Sequence, residues 1–539
     1  MKFVVSILLT FVMLISPISV RADQYLSPEL ITLRNNRVNN RIGDMSFFGG
    51  ISEGVRLPLT TEQMIAENQG RRARRDTATM RYYEPVFLGG IDFDGPRIFQ
   101  GTIEVERSGG VDNSNTVGQF DVTHTVSSSD ATDTDDVDIN REITFQVNYR
   151  LVGNQVIFTY QARRDDWSET ITIDDSEFTL DPSISHYGIS IIQHMTPGVS
   201  YYRGDISGRK VFTDESGHRI YKDIVGTFHG YRSAWSATET HRLDVVVTNE
   251  AQGWQMEYQV RPSITMNKVL QFVSNEPTVI SFDGNFREIM QNNVGLRYDI
   301  FTVPPFMNGI PGEWLPRYGD LSMEIPNAFE QLPAHDLTFL RGNPAEDDIR
   351  RLFSTQILQG DPRFFQPSQA ISRGQFVAAV ARAIRLPIEQ PIVATGRRAQ
   401  PDMSVFYDVQ RHRPEYPYIM AAYHAGLAVG RANSMFYFDY PIDRQEAFMI
   451  MIRALGLSQM GLNPTPVTPF VDSGQIAPWA LREVAVANMI GLAPGNDGFF
   501  GPEVMLNMGE AAYILNKLVE YMRVGLISDY ATQIVNIAN

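Results

Sequence analysis

Cysteine is absent from the 539 residues. That excludes disulfides, thiolate nucleophiles and cysteine-ligated metals, and leaves buried area to hold the fold together. Positive charge is scarce: 46 Lys and Arg stand against 62 Asp and Glu, a formal charge of −16. A surface of that sign repels nucleic acid and acidic lipid as a whole, so an anionic partner needs a local basic site. After the first 22 residues no apolar run approaches membrane-spanning length, so no transmembrane segment is expected in the mature protein. His-Glu-x-x-His, the P-loop and the dinucleotide fingerprint are all missing.

What is present begins with a leader. Lys2 is followed by an apolar run from Phe3 to Ile15, which Ser16-Pro17 ends, and Val20-Arg21-Ala22 supplies a cleavage site. Residues 1–22 are therefore read as a secretory signal peptide, too short in its apolar core to span a bilayer. Without Lys2 and Arg21 the basic residues fall from 46 to 44 against 62 acidic, a charge of −18.

Residues 23–80 are polar and weakly patterned, an extension or linker ending in Arg71-Arg72-Ala73-Arg74-Arg75, a run expected to be a solvated turn. From 81 to 325 the period is two. Ile143, Phe145, Val147, Tyr149 and Leu151 alternate with polar residues, Val152 to Gln155 reads as a tight turn, and Val156, Phe158 and Tyr160 alternate again. Further short strands are expected at Ser168–Ile173, Tyr187–Gln193, Leu243–Thr248, Trp254–Val260 and Thr278–Asp283, which together predict an all-β antiparallel region of one or two sandwiches. Trp167, Trp235 and Trp254 are expected in its core. The acidic run between Asp130 and Asp138 offers Asp133, Asp135, Asp136 and Asp138 as calcium candidates. It lacks the glycine and final glutamate of an EF-hand loop, so a solvated hairpin tip is the favoured reading and no cofactor is required. Pro304-Pro305 and the Gly/Pro-rich stretch to Gly319 mark a linker or closing segment.

Beyond about residue 330 the period becomes helical and the chain repeats itself: 326–402, 403–462 and 463–539. The third unit runs Phe470-Val471-Asp472, Pro478-Trp479-Ala480, a helix, Gly491-Leu492, Gly495, Phe499-Phe500, Pro502 and Asn507-Met508-Gly509-Glu510. The second runs Phe406-Tyr407-Asp408, Gly426-Leu427, Gly430, Phe436 to Phe438, Pro441 and Asp443-Arg444-Gln445-Glu446. In the first unit only His335-Asp336 substitutes for the opening motif, and Gly360, Phe364-Phe365, Pro367 and Ser372-Arg373-Gly374-Gln375 complete it. Gly360 to Arg373 spans 13 positions, Gly430 to Arg444 spans 14 and Gly495 to Met508 spans 13. Ser372 and Asp443 stand where a helix N-cap belongs, with Glu446 placed as in a capping box. One helix pair cannot bury its apolar face alone, so the units are expected to pack together.

These motifs resemble the S-layer homology family. The resemblance implies an all-α three-lobed bundle whose grooves bind anionic secondary cell-wall polysaccharide. Carried over, the polysaccharide-binding candidates are Arg373, Arg444, Asp408, Asp472 and Trp479, with the turn glycines Gly360, Gly430 and Gly495. Met508 replaces the arginine of the third unit and Pro414 replaces the tryptophan of the second, so one or two working grooves are expected. A guanidinium at a helix N-terminus suits carboxylates, because its fork of donors lies beside a favourable dipole. The β region, through Tyr201-Tyr202-Arg203-Gly204, Ser207 to Lys210, Trp235 to Thr240 and Phe282-Asp283-Gly284, resembles stretches that precede such repeats in clostridial surface proteins.

The expectation is a secreted structural protein of the S-layer type, not an enzyme. It would be held on the cell wall by its repeats and self-associate through its β part, with no nucleic-acid partner. The alternative is a wall-anchored enzyme, or an adhesin that binds carbohydrate or protein, with the β domain as its working module.

Overall fold

The computed structural model describes residues 50–51, 76–84, 97–108, 116–130, 137–153, 155–174, 176–251, 253–273, 284–303, 315–324, 327–386, 388, 405–430, 434–461 and 467–534. The leader, the Arg71–Arg75 cluster, the strand expected at Thr278–Asp283, Pro304-Pro305 and the calcium candidates Asp133, Asp135 and Asp136 lie outside them.

Fifteen strands come first. They are β1 (Gly50–Ile51), β2 (Asp76–Glu84), β3 (Arg97–Arg107), β4 (Val117–Asp130) and β5 (Val137–Val152). Next come β6 (Gln155–Ile173), β7 (Ser176–Leu180), β8 (His186–Met195), β9 (Val199–Thr213) and β10 (Arg219–Ser233). The last are β11 (Ser236–Asn249), β12 (Trp254–Val273), β13 (Asn285–Val303), β14 (Leu315–Glu324) and β15 (Ala328–Gln331). Six principal helices follow: α1 (Glu346–Ser354), α2 (Arg373–Ala383), α3 (Tyr416–His424), α4 (Arg444–Leu455), α5 (Leu481–Met489) and α6 (Met508–Glu520). Among the described residues no helix is long and apolar enough to cross a membrane.

The alternation read in the sequence is the alternation of the strands. On β5, Ile139, Ile143, Phe145, Val147 and Tyr149 are buried while Asp138, Asn140, Glu142, Asn148 and Arg150 face out. Gly153, with φ of 61°, makes the turn into β6 as Val152 to Gln155 predicted. Two features depart from expectation. The principal strands run to 14–20 residues, well beyond the short runs the pattern suggested. All fifteen also belong to one antiparallel sheet, ordered nearly as in sequence. Short turns let each long strand pair with the one before it, so hydrogen bonding does not split into the two sheets of an ordinary sandwich. Asp130 ends β4 and Asp138 is the second residue of the neighbouring β5, where the Ser129 hydroxyl donates to it at 2.5 Å. Among the described residues no group of three or more His, Asp or Glu is placed to hold a metal.

Trp167 and Trp254 are buried in the sheet core as expected, whereas Trp235, also buried, packs into the core of the helical repeats. The sheet interior also holds charge. Glu169 on β6 is buried, accepting from the Arg141 guanidinium at 2.5 Å and from Lys210 Nζ at 2.7 Å. Burial alone would raise its pKa, but the two cations hold it below the usual carboxylate range. A carboxyl whose folded pKa is depressed adds stability above its unfolded pKa, and that contribution is lost as pH falls toward the folded value. The temperature of the unfolding midpoint should therefore drop as pH falls from about 5 towards about 2. Glu169→Gln should lower it at pH 7 and flatten its pH dependence; an equally steep acid limb in the variant would show that Glu169 does not control it.

Candidate functional site

The helical part is organised by the starts of α2, α4 and α6. Ser372, Asp443 and Asn507 cap them, each side chain accepting from the backbone amide three residues on. The segments leading into these caps bond in a ring: Ile371 N–H to Leu506 carbonyl, Leu506 N–H to Ile442 carbonyl, and Ile442 N–H to Ile371 carbonyl, at 3.0–3.3 Å. Each helix also sends its first two amides to another unit. Arg373 and Gly374 donate to Tyr440 and Phe438, Arg444 and Gln445 to Val504 and Pro502, and Met508 and Gly509 to Gln369 and Pro367. Thus the first three amides of α2, α4 and α6 are already satisfied. The helix ends keep their dipole but have no free N–H in that turn to offer an anion, so any carboxylate must be taken by side chains.

The two arginines stand at equivalent positions and differ completely. Arg373 is 2% exposed. Its Nε donates to Glu446 Oε1 at 2.8 Å, and its other nitrogens donate to the carbonyls of Phe436 at 2.5 Å and Val429 at 2.8 Å. The guanidinium also lies 4.2 Å from the centre of the Phe436 ring. It is a bolt between the first and second units. Arg444 is half-buried, 5.5 Å from the ring centres of both Phe448 and Phe500, and its side chain makes no hydrogen bond or ion pair among the described residues. Burial pulls its pKa below the usual value, while the Glu510 and Asp472 carboxylates oppose that shift.

The aspartates hold turns. Asp408 accepts the Phe436 and Phe438 amides at 2.7 and 2.9 Å, and Asp472 accepts those of Phe500 and Gly501 at 2.8 and 2.7 Å. Burial works against the Asp472 charge, but these amides keep its pKa lowered. In the first unit Asp336 instead accepts from its own neighbour Thr338, which leaves the turn at Phe364-Phe365 without that brace. The glycines are steric. A Cβ on Gly430 or Gly495 would meet the Phe406 or Phe470 ring at 2.6 or 2.7 Å, whereas Gly360, with φ of 105° and no opening Phe above it, has open space. Trp479 is 50% exposed. The segment before it is tied to α4, since Gln445 Oε1 accepts the Ala477 amide at 2.9 Å. That bond brings the Trp479 segment beside the start of α4, where Arg444 begins the helix. Sequence reasoning missed Gln445 and the partner of Arg373; the Arg-x-Glu spacing in Arg444 to Glu446 signals the carboxylate but not which arginine it serves.

A family model described as the S-layer homology domain matches residues 341–377 and 405–448. The chain carries S-layer homology domains. The two matched segments include Arg373 and Arg444, and the hydrogen-bonded ring gives 505–509 in the third unit the same place as 370–374 and 441–445. An S-layer homology domain indicates attachment of a secreted protein to the cell wall. The chain is also similar to an endoglucanase of Bacillus sp. (strain KSM-635), 26% identical over 174 residues, which is 32% of this chain and 17% of that protein.

Proposed function

We propose that this chain is a structural cell-surface protein held non-covalently on an anionic wall polysaccharide by three S-layer homology repeats. The groove between the second and third repeats is the working contact. The observation that carries this is a half-buried Arg444 without a hydrogen-bond partner among the described residues, at the start of the helix whose Gln445 holds the Ala477 amide two residues before the exposed Trp479. Arg444 supplies the cation for a carboxylate and Trp479 a flat apolar face for a sugar ring. The first boundary is closed by the Arg373–Glu446 pair, and the third starts with Met508, which has no charge. Three lobes around the ring account for the shared helical core.

The sheet forms the outward part of a self-associating surface layer and is not catalytic. Its apolar face from β3 to β13 is buried in one cluster, which supports a sheet curled across itself in sandwich fashion. Anchoring needs no cofactor, and EDTA should leave it unchanged.

A wall-attached enzyme is the runner-up. It rests on the endoglucanase similarity and on Gly50-Ile51-Ser52-Glu53-Gly54, a hydrolase-like string of which only Gly50–Ile51 is described, as strand. Release of reducing ends from β-glucan by the pure protein would restore the enzyme reading.

The deciding test is sedimentation of the full chain with walls before and after removal of the non-peptidoglycan polysaccharide. Pelleting should be lost on stripping. Equal pelleting on stripped walls would mean that the repeats hold another polymer.

A further inference from the structure

The ring of helix starts lies at one end of α2, α4 and α6; the C-terminal ends of α2 and α4, and the helical continuation past α6, meet the sheet. A helix of 11 or 12 residues is about 17 Å long, so the two ends are well separated. The last carbonyls of a helix have no partner within it. Here the β part supplies partners. Trp235, at the β10–β11 tip, donates its indole N–H to the Ala383 carbonyl at the end of α2, at 2.7 Å. The Gly198 amide and the Tyr201 hydroxyl donate to Ala454 and Leu455 at the end of α4, at 2.8 and 3.1 Å. The Ser236 hydroxyl donates to the Met522 carbonyl, two residues past α6 in its helical continuation, at 2.5 Å.

The seat is apolar and charged in equal measure. Val199, Tyr231, Ala234 and Trp235 belong to the core of the helical repeats, not to that of the sheet. Arg385 lies 4.9 Å from the centre of the Trp235 ring and pairs with Glu288 of β13 at 3.0 Å, and Lys268 of β12 shares that carboxylate. Past α6 the chain continues onto β9 and β10, where Tyr530 packs on Tyr201 and Tyr231 and bonds His229.

We infer that the β10–β11 tip and the β8–β9 turn form a common seat for the three repeats, capping the ends of α2 and α4 and gripping the helical chain just past α6. The anchor is then no tethered module: sheet and repeats unfold as one unit, and the sheet is held at a fixed angle on the side away from the Arg444 groove. The hydrogen bonds from Trp235, Gly198, Tyr201 and Ser236, with the Arg385–Glu288 pair, carry load from wall to sheet in place of the single connecting chain at 332–345.

Hydrogen exchange and calorimetry on the full chain in solution test this independently of any wall ligand. The wild type should give a single unfolding transition. Trp235→Phe keeps a ring and removes the donor; it should raise exchange at least tenfold in the last turn of α2. Trp235→Ala should spread that loss to residues 452–457 and 519–526 while 370–374 and 441–445 stay protected. Ser236→Ala, a mild change, should loosen 519–526 alone. Two separate transitions in the wild type, or faster exchange confined to 231–238 in Trp235→Ala, would overturn the inference.

Discussion

Arg373→Ala should destabilise the helical part by about 3–5 kcal/mol, the cost of leaving one member of a buried ion pair uncompensated. Glu446 is 5% exposed and would lose the guanidinium that its carboxylate accepts from. The carbonyls of Phe436 and Val429 would lose their donors at the same time. Arg373→Lys should rescue little, because an ammonium cannot reach the carboxylate and two carbonyls in the planar fork that the guanidinium uses. The double variant Arg373→Met/Glu446→Gln removes both charges and should recover much of the loss. Urea unfolding of the three variants checks this order. If Arg373→Ala unfolds like the wild type yet no longer pellets with walls, Arg373 is a ligand contact and not a bolt.

The opposite pattern is expected at Arg444. Arg444→Met retains an aliphatic stem over Phe448 and Phe500 and places there the residue that the third repeat already carries at Met508. Thermal stability should hold or rise slightly, because a half-buried cation without a hydrogen-bond partner is removed. Affinity for wall polysaccharide should fall about 30-fold, the equivalent of about 2 kcal/mol for hydrogen bonds to a charged group. Added salt should weaken wild-type binding and affect the variant less. Titration of full-length protein with solubilised polysaccharide measures both effects. Unchanged affinity would place the contact at another boundary.

These two predictions diverge although the residues occupy one motif position, and that divergence measures what was legible. Strand periodicity, the β5–β6 turn, the helix caps at Ser372 and Asp443 and the repeat spacing were all readable, because each depends on residues within a few positions of one another. The sharing of Asp408 and Asp472 with turn amides 28 to 30 residues later was not, nor was the closure of Arg373 by Glu446, 73 residues away. The long strands were under-read because Arg163 to Asp166 in β6 interrupt the apolar alternation at a bulge, where the register with β5 jumps from Trp167 to Ala162.

By itself the sequence determined the order of parts, a β region followed by helical repeats, together with the family of those repeats. Local periodicity and turn chemistry suffice for both. Tertiary structure alone decided that the strands form one sheet, that its β10–β11 tip seats in the helical core, and that one of two equivalent arginines is spent on holding repeats together. Those outcomes depend on which buried charge finds which partner across the fold, and a guanidinium binds a ligand only where the protein has not already satisfied it.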